Sequence, residues 1–351
     1  VSAGAMRGPA PEEGFGGATG GAGAAGGPPP GEGASLVVAI PTHKRPEGLE
    51  RAVGTVLPQI NAIVSDVSSP VARAELLIID NDPAASARAT AERLAAGPGG
   101  SAMRYIVEER PGVAAVRNRA LDEAAGARLL VFIDDDEEAL ENWLSSLVGL
   151  WAREGAQAVA GHVLPAYDAE PEAWVREGGF FVRATWPTGT ARPAAASNCL
   201  LLDLDFLRAR GLRFDERFGA TGGEDTLLTR SLVAAGGTLL WCAEAQVVDH
   251  VPAQRLDRAW ILRRQRSHAA NSVRVDLALA GAGSRVVRAR IRGRALVGGA
   301  ARVVAGAGRG AAGVILRSTS HRARGARLMA RGAGLASAAL GGSGHAEYGR
   351  S

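Results

Sequence analysis

The sequence predicts an α/β fold: a mostly parallel sheet, doubly wound in the Rossmann manner, with helices on both faces. Three observations predict it. From residue 35 onward, short apolar runs alternate with stretches of helical periodicity. The runs are apolar throughout rather than alternately polar, as strands buried on both faces must be. Polar clusters follow directly after several runs, where open parallel sheets bind their ligands.

The first run, "SLVVAI", ends at Pro41, and Pro46 then opens a helix with Leu49, Val53, Val56 and Leu57 on one face. "ELLIID" is a second strand, followed by a helix near residues 84–96. "MRYIVEE" is a third, followed by a helix near 112–125 that sets Val113, Val116, Ala120 and Leu121 in register. "RLLVFI" is the fourth, and Leu140, Trp143, Leu144, Leu147 and Trp151 behind it have helical spacing. "QAVAGHV", "NCLLLD" and "TLLWC" read as further strands, and a helix starts at Glu224. From Leu256 the pattern is helical, arginine-rich and interrupted by glycine. Residues 1–34 are mostly Gly, Ala and Pro, too poor in large apolar side chains to order themselves. The expected division is a disordered tail over 1–34, an α/β domain over 35–255 and a basic helical extension over 256–351.

With 351 residues and 46% hydrophobic content the chain can bury one large core or two smaller ones. Two cysteines, Cys199 and Cys242, make neither a disulfide framework nor a cysteine zinc site, and they fit a reducing, cytoplasmic setting. No apolar run reaches 18 residues, so no membrane-spanning helix is expected, and the first residues lack the pattern of a signal peptide. From Arg255 to the end, nineteen arginines face Asp257, Asp276 and Glu347, so this segment carries a formal +16 while the rest is net acidic. That asymmetry points to an anionic partner. Nucleic acid is disfavoured, because the segment's aromatics are only Trp260 and Tyr348 and offer no stacking platform. An anionic membrane surface, met peripherally at the inner face of the plasma membrane, is the sharper expectation. A solvated helical face is the plainer one.

The sheet rule brings three polar clusters to one rim: Pro41, Thr42 and His43; Asp80, Asn81 and Asp82; Asp134, Asp135 and Asp136. Helix capping or a turn could account for Asp80 or for one acid of the run, but hardly for three in succession. In extended chain Asp134 and Asp136 would face one point and Asp135 another. Paired hard oxygens suit Mg2+ or Mn2+, which also accept diphosphate oxygens. Glu137 and Glu138 are expected to open the next helix, where negative charge suits the macrodipole.

These residues resemble the family 2 glycosyltransferases, inverting enzymes of the GT-A fold that use nucleotide sugars, and within them the bacterial succinoglycan-type exopolysaccharide transferases. The resemblance rests on the order of "VVAIPTHKRPEGL", "LLIIDNDPAASA", "PGVAAVRNRALDEAAG", "LLVFIDDDEEALENWL", "ASNCLLLD", "FGATGGEDTLLTRSLVAAGG" and "VVDHVPAQRLDRAWILRRQR", over roughly residues 36–270. It implies that Pro41 and His43 meet the nucleotide base, Asp80 the base or ribose, and Arg117 and Asn118 the donor, with Asp135 in the same group. It implies metal binding by the Asp-x-Asp element, Asp134 and Asp136, with His250 near the place of a further ligand. It makes Asp225 the catalytic base and Glu224 its acidic neighbour. The partners it implies are a nucleotide sugar and a saccharide acceptor, lipid-linked in this branch, in polysaccharide biosynthesis for the cell envelope.

Other readings fit less well. A phosphohydrolase of the haloacid dehalogenase type carries its Asp-x-Asp on the first strand, not the fourth. A dinucleotide enzyme needs a glycine fingerprint after the first strand, and "PTHKRPEG" is none. A non-catalytic relative that binds nucleotide sugars or scaffolds other transferases is opposed by the intact acid run and "GGED".

Overall fold

The structure, a computed structural model, describes residues 33–281 and 283–342. The expected disorder of the N-terminal tail therefore concerns residues outside the described ones, apart from Gly33 and Ala34, and Tyr348 also lies outside them. Eight strands form one sheet: β1 (Ala34–Thr42), β2 (Val71–Asp80), β3 (Met103–Val107), β4 (Leu129–Ile133), β5 (Glu137–Ala139), β6 (Ala158–Tyr167), β7 (Cys199–Asp203) and β8 (Leu239–Val251). Their order across the sheet is β3-β2-β1-β4-β7-β6-β8-β5. The half built from β3, β2, β1 and β4 is parallel throughout. In the other half β6 and β8 are parallel, while β7 runs antiparallel to β4 and β6, and β5 to β8. The sheet is mostly parallel, as expected, with antiparallel insertions that apolar runs alone do not reveal.

The helices used below are α1 (Pro46–Ser65), α2 (Arg88–Ala95), α3 (Val113–Glu123), α4 (Trp143–Glu154), α5 (Ala173–Gly178), α6 (Leu204–Ala209), α7 (Glu224–Ala234), α8 (Arg258–Leu279), α9 (Arg285–Ile315) and α10 (Thr319–Ala339). Successive β1 residues explain the unbroken apolar runs. Leu36, Val38 and Ile40 enter one core layer with Leu49, Val53, Trp143 and Leu147 of α1 and α4. Val37 and Ala39 enter the opposite layer with Ala114 and Val116 of α3 and Leu228 and Leu232 of α7. Each large side chain so buried contributes roughly 1.5–3 kcal/mol.

Register sets the rim. Thr42 is level with Asp80 across the parallel β1–β2 pair, and Cys199 lies opposite Ile133 across β7–β4. Ser197 and Asn198, just before β7, thus arrive beside Asp134. One expectation is corrected here. Glu137 and Glu138 do not open a helix; they lie in β5, paired with β8, and α4 begins only at Trp143. The reason is local. The Glu137 carboxylate accepts hydrogen bonds from the Asp134 amide (3.1 Å) and from Asn198, so it closes a turn instead of meeting a helix dipole.

Several of the C-terminal glycines are helix contacts rather than breaks. Gly299, Gly306 and Gly313 recur every seven residues along α9 and face α10. A Cβ on Gly306 would come within 2.7 Å of the Gly325 carbonyl oxygen, and one on Gly299 within 2.8 Å of that of Gly332. The two helices therefore touch backbone to backbone, and α10 in turn lies on α8, where a Cβ on Gly334 would stand 2.1 Å from the Arg266 carbonyl oxygen.

Candidate active site

The acid run is a turn, not extended chain. The Glu137 amide donates to the Asp134 carbonyl (3.2 Å), closing four residues. This corrects the premise that Asp134 and Asp136 share a direction by strand alternation. Asp135 and Asp136 instead share a cation: Arg45, in the loop between β1 and α1, donates to Asp135 at 3.0 Å and to Asp136 at 2.9 Å. Thr42 adds a hydrogen bond to Asp135 at 2.8 Å, which locks that buried carboxylate to the end of β1. Arg255 reaches Asp136 from the far side at 3.2 Å.

Asp134 is differently placed. Its side chain is 35% exposed, but the surface it shows faces a concavity with protein all round, so burial pushes its carboxyl up to about 6. Arg117, 3.7 Å away, pulls the other way, and Asp136 adds to the rise more than Asp135 does. Asp249 on β8 joins them: burial and then Asp136 raise its carboxyl, and its Oδ1 is buried without a hydrogen-bond partner.

The His250 side chain pairs with acids other than Asp134 and Asp136. Its Nε2 is 2.8 Å from Glu138 and its Nδ1 is 3.8 Å from Asp168. Adjacent residues on a strand face opposite ways, so where Asp249 lines the concavity His250 is turned from it. Among the described residues no three His, Cys, Asp or Glu side chains are grouped so as to hold a metal ion unaided. The chemistry of the donor set nonetheless fits a hard divalent ion: Mg2+ keeps several waters and takes one or two carboxylates plus substrate phosphates.

Gly222 and Gly223, with φ of 76° and 100°, make the left-handed turn that starts α7. Asn271 of α8 holds this loop by donating to the Thr221 carbonyl at 2.6 Å. The turn separates two adjacent acids. Glu224 is buried and ion-paired with Arg117, and burial pushes its carboxyl up to about 7 against the pull of that guanidinium. Asp225 is half-buried, lines the concavity, and is fixed by the amide (2.5 Å) and hydroxyl (3.2 Å) of Thr226. Arg117 thus spans the two acidic groups, touching Glu224 and approaching Asp134.

The concavity holds about 460 Å³. Asp134, Arg117, Glu224, Asp225 and Asp249 line its sheet side, and α8 and α10 close the other. Ser197 and Gln265, also in its lining, each carry a buried oxygen without a hydrogen-bond partner. The remaining residues expected at the site lie elsewhere on the rim. Asp80 is 0% exposed, and its carboxylate accepts from the Asp82 amide (3.0 Å), the Ala87 amide (2.8 Å) and the Tyr105 hydroxyl (2.9 Å). Asn118 clamps Phe214 by two hydrogen bonds, its amide donating to the carbonyl at 2.9 Å and its oxygen accepting from the backbone N–H at 3.0 Å. Pro41 lies in β1 opposite Ile79, and His43 is 3.0 Å from the Asn81 carbonyl oxygen.

Sequence reading missed Arg45 and Asp249. The signal for Asp249 was available in "VVDHV", where the period of two puts Asp249 and His250 on opposite faces. Arg45 carried none, since an arginine in a loop is usually solvated.

Residues 37–203 match the model of the family described as "Glycosyl transferase family 2". The chain is 31% identical over 237 residues to the succinoglycan biosynthesis protein ExoM of Rhizobium meliloti (strain 1021), spanning 67% of this chain and 73% of that one. Its fold is similar to that of a mannosyltransferase from Pyrobaculum calidifontis, solved in complex with GDP-Man and Mn2+, with a TM-score of 0.55 and 17% identity over 86% of this chain and 87% of the other. The chain is a glycosyltransferase and belongs to glycosyl transferase family 2.

Proposed function

We propose that the chain transfers a sugar from a nucleotide-sugar donor to a hydroxyl of a saccharide acceptor, by a single inverting displacement that depends on a divalent metal. The observation that carries the reading is the convergence of Asp225 and Asp134 on one concavity at the carboxyl rim of the sheet. The acceptor hydroxyl gives its proton to Asp225 as its oxygen attacks the anomeric carbon. The bond from that carbon to the diphosphate oxygen breaks, and the nucleoside diphosphate leaves. One displacement inverts the anomeric centre, so an α-linked donor gives a β-linked product. Glu224 takes no proton in this scheme; paired with Arg117, it sets the guanidinium that faces Asp134. Mg2+ or Mn2+ held by Asp134 and Asp136, with Asp249 beside them, would offset the charge gained by the departing diphosphate. The Mn2+ and GDP-Man bound by the Pyrobaculum mannosyltransferase support a metal and a nucleotide sugar here.

On this reading Asp80 shapes the nucleotide pocket from beneath, by holding the loop after β2, while Pro41, His43 and Asp135 border it. Asn118 positions Arg117 by anchoring α3. The likeness to ExoM, a succinoglycan biosynthesis protein, supports polysaccharide biosynthesis; that the acceptor is lipid-linked is part of the proposal. The test is an NMR assay of product configuration in the presence and absence of chelator. The expected product has the anomeric configuration opposite to the donor's and vanishes with excess EDTA. Retained configuration would refute the single displacement, and full activity in EDTA would refute the metal.

A further inference from the structure

The concavity beside Asp225 carries acids on one wall only. Its lining acids, Asp134, Glu224, Asp225 and Asp249, all come from the sheet and the start of α7. The α8 and α10 wall contributes no acid and instead brings Arg264, His268, Arg327 and Arg331. These are not scattered surface arginines. Arg264 and His268 are four residues apart on α8, and Asn271 and Val275 continue the same face along the lining. On α10, Arg327 and Arg331 share a face with Gly334, whose close approach to the Arg266 carbonyl presses that face onto α8.

We propose that this wall is a subsite for an anionic group, a carboxylate or a phosphate ester, carried by the acceptor saccharide close to the attacking hydroxyl. The proposal rests on the glycosyl-transfer reading above and adds the acceptor's chemical class. Three further features support it. His268 stays open to the cleft but is surrounded by protein, and the charged groups that act on it are Arg264, Arg331 and Arg183, all cationic. Burial and these cations push its imidazole down to about 4. Arg327 donates to the Gly179 carbonyl at 3.3 Å, and the charges acting on it are those of Arg331 and Arg324. Cations gathered along one wall of a cleft offer charge-assisted hydrogen bonds to an entering anion. Beside them Trp260 and Phe181 are stacked with centroids 6.4 Å apart, and the Arg264 guanidinium lies over the Trp260 ring at 5.2 Å, which ties the aromatic pair to the basic wall. The donor diphosphate has other cations nearer the acid turn, Arg255 at Asp136 and Arg117 at Asp134.

The test is calorimetric titration of the full chain with methyl glucuronide, glucose 6-phosphate and neutral methyl glucoside. Each is titrated with and without saturating UDP or GDP and Mg2+. At least one anionic sugar is expected to bind about tenfold or more tighter than the neutral one, the scale of one charge-assisted hydrogen bond. Which of the two binds tells carboxylate from phosphate. Arg331→Gln and Arg327→Gln should each erase most of that preference, and Arg331→Lys should keep part of it. Equal binding of neutral and anionic sugars by the unaltered chain would overturn the proposal, as would a preference untouched in both glutamine variants. Competition between the anionic sugar and the nucleoside diphosphate would assign the arginines to the donor and overturn it too. Failure of UDP and GDP alike to bind would count against the transfer mechanism itself, and the sugar titrations would still be readable.

Discussion

Glu224 and Asp225 are neighbours in sequence with unlike surroundings, and the contrast supports the different roles proposed for them. A base must reach its substrate's proton, and of these two acids lining the concavity Asp225 is half-buried while Glu224 is buried. Glu224 is enclosed with Arg117, and its raised carboxyl has a consequence for stability. Between its ordinary value of 4.5 and about 7, the folded chain holds a proton on Glu224 that the unfolded chain has released. Its contribution to stability is therefore fully present below pH 4.5 and lost as pH rises toward 7. Urea unfolding of the unaltered chain and of Glu224→Gln should show the first losing stability relative to the second across that window. A difference that stays flat with pH would contradict the assignment.

At the scale of elements, α9 and α10 show what glycine does in a helix that packs. Gly306→Val must push the Gly325 carbonyl aside and should destabilise by roughly 1–3 kcal/mol. Gly308 has open space where its Cβ would go, so Gly308→Ala should stabilise by about 1 kcal/mol through helix propensity alone. Denaturant midpoints of the two variants should move in opposite directions; a shift of the same sign would mean the stripe is not a contact. The outer face of α9 is also more regular than the sequence suggests. Val286, Val297, Val304 and Ile315 fall on one helical stripe and are 72–81% exposed. Arg290 and Arg294 lie close to it in sequence. No helix among the described residues is long and apolar enough to cross a membrane, so a lipid role for this face would be interfacial. Val297→Asp with Val304→Asp should then abolish co-sedimentation with anionic vesicles, and salt should weaken binding by the unaltered chain. Binding that is indifferent to both changes would remove the membrane role.

For the whole molecule, the parallel half of the sheet was legible because its strands carry apolar runs, and those of β1, β2 and β3 are each followed by a helix. The rim was legible for the same reason, since the carboxyl ends of β1, β2 and β4 could be aligned before any coordinate was known. What was not legible depends on pairing across long separations. The reversal at β7, the short β5 beside the end of β8 and the turn of the acid run are fixed by partners that local periodicity does not encode, such as Asn198 on Glu137 and Gln246 on Leu140. At the site, Asp134, Glu224 and Asp225 carried a motif, while Asp249 and Arg45 gained their places only through folding. The α8–α10 wall was read as a basic tail because charge counts do not say which arginines a fold turns inward.

The base assignment joins all three scales, and one rate decides it. Nucleoside diphosphate release should be followed over a panel of nucleotide sugars with acceptor present, for the unaltered chain and for Asp225→Asn. The expected result is turnover of at least one donor, reduced about 10²-fold or more in the variant while donor affinity persists. Undiminished turnover in Asp225→Asn would show that another group takes the proton and would contradict the base assignment.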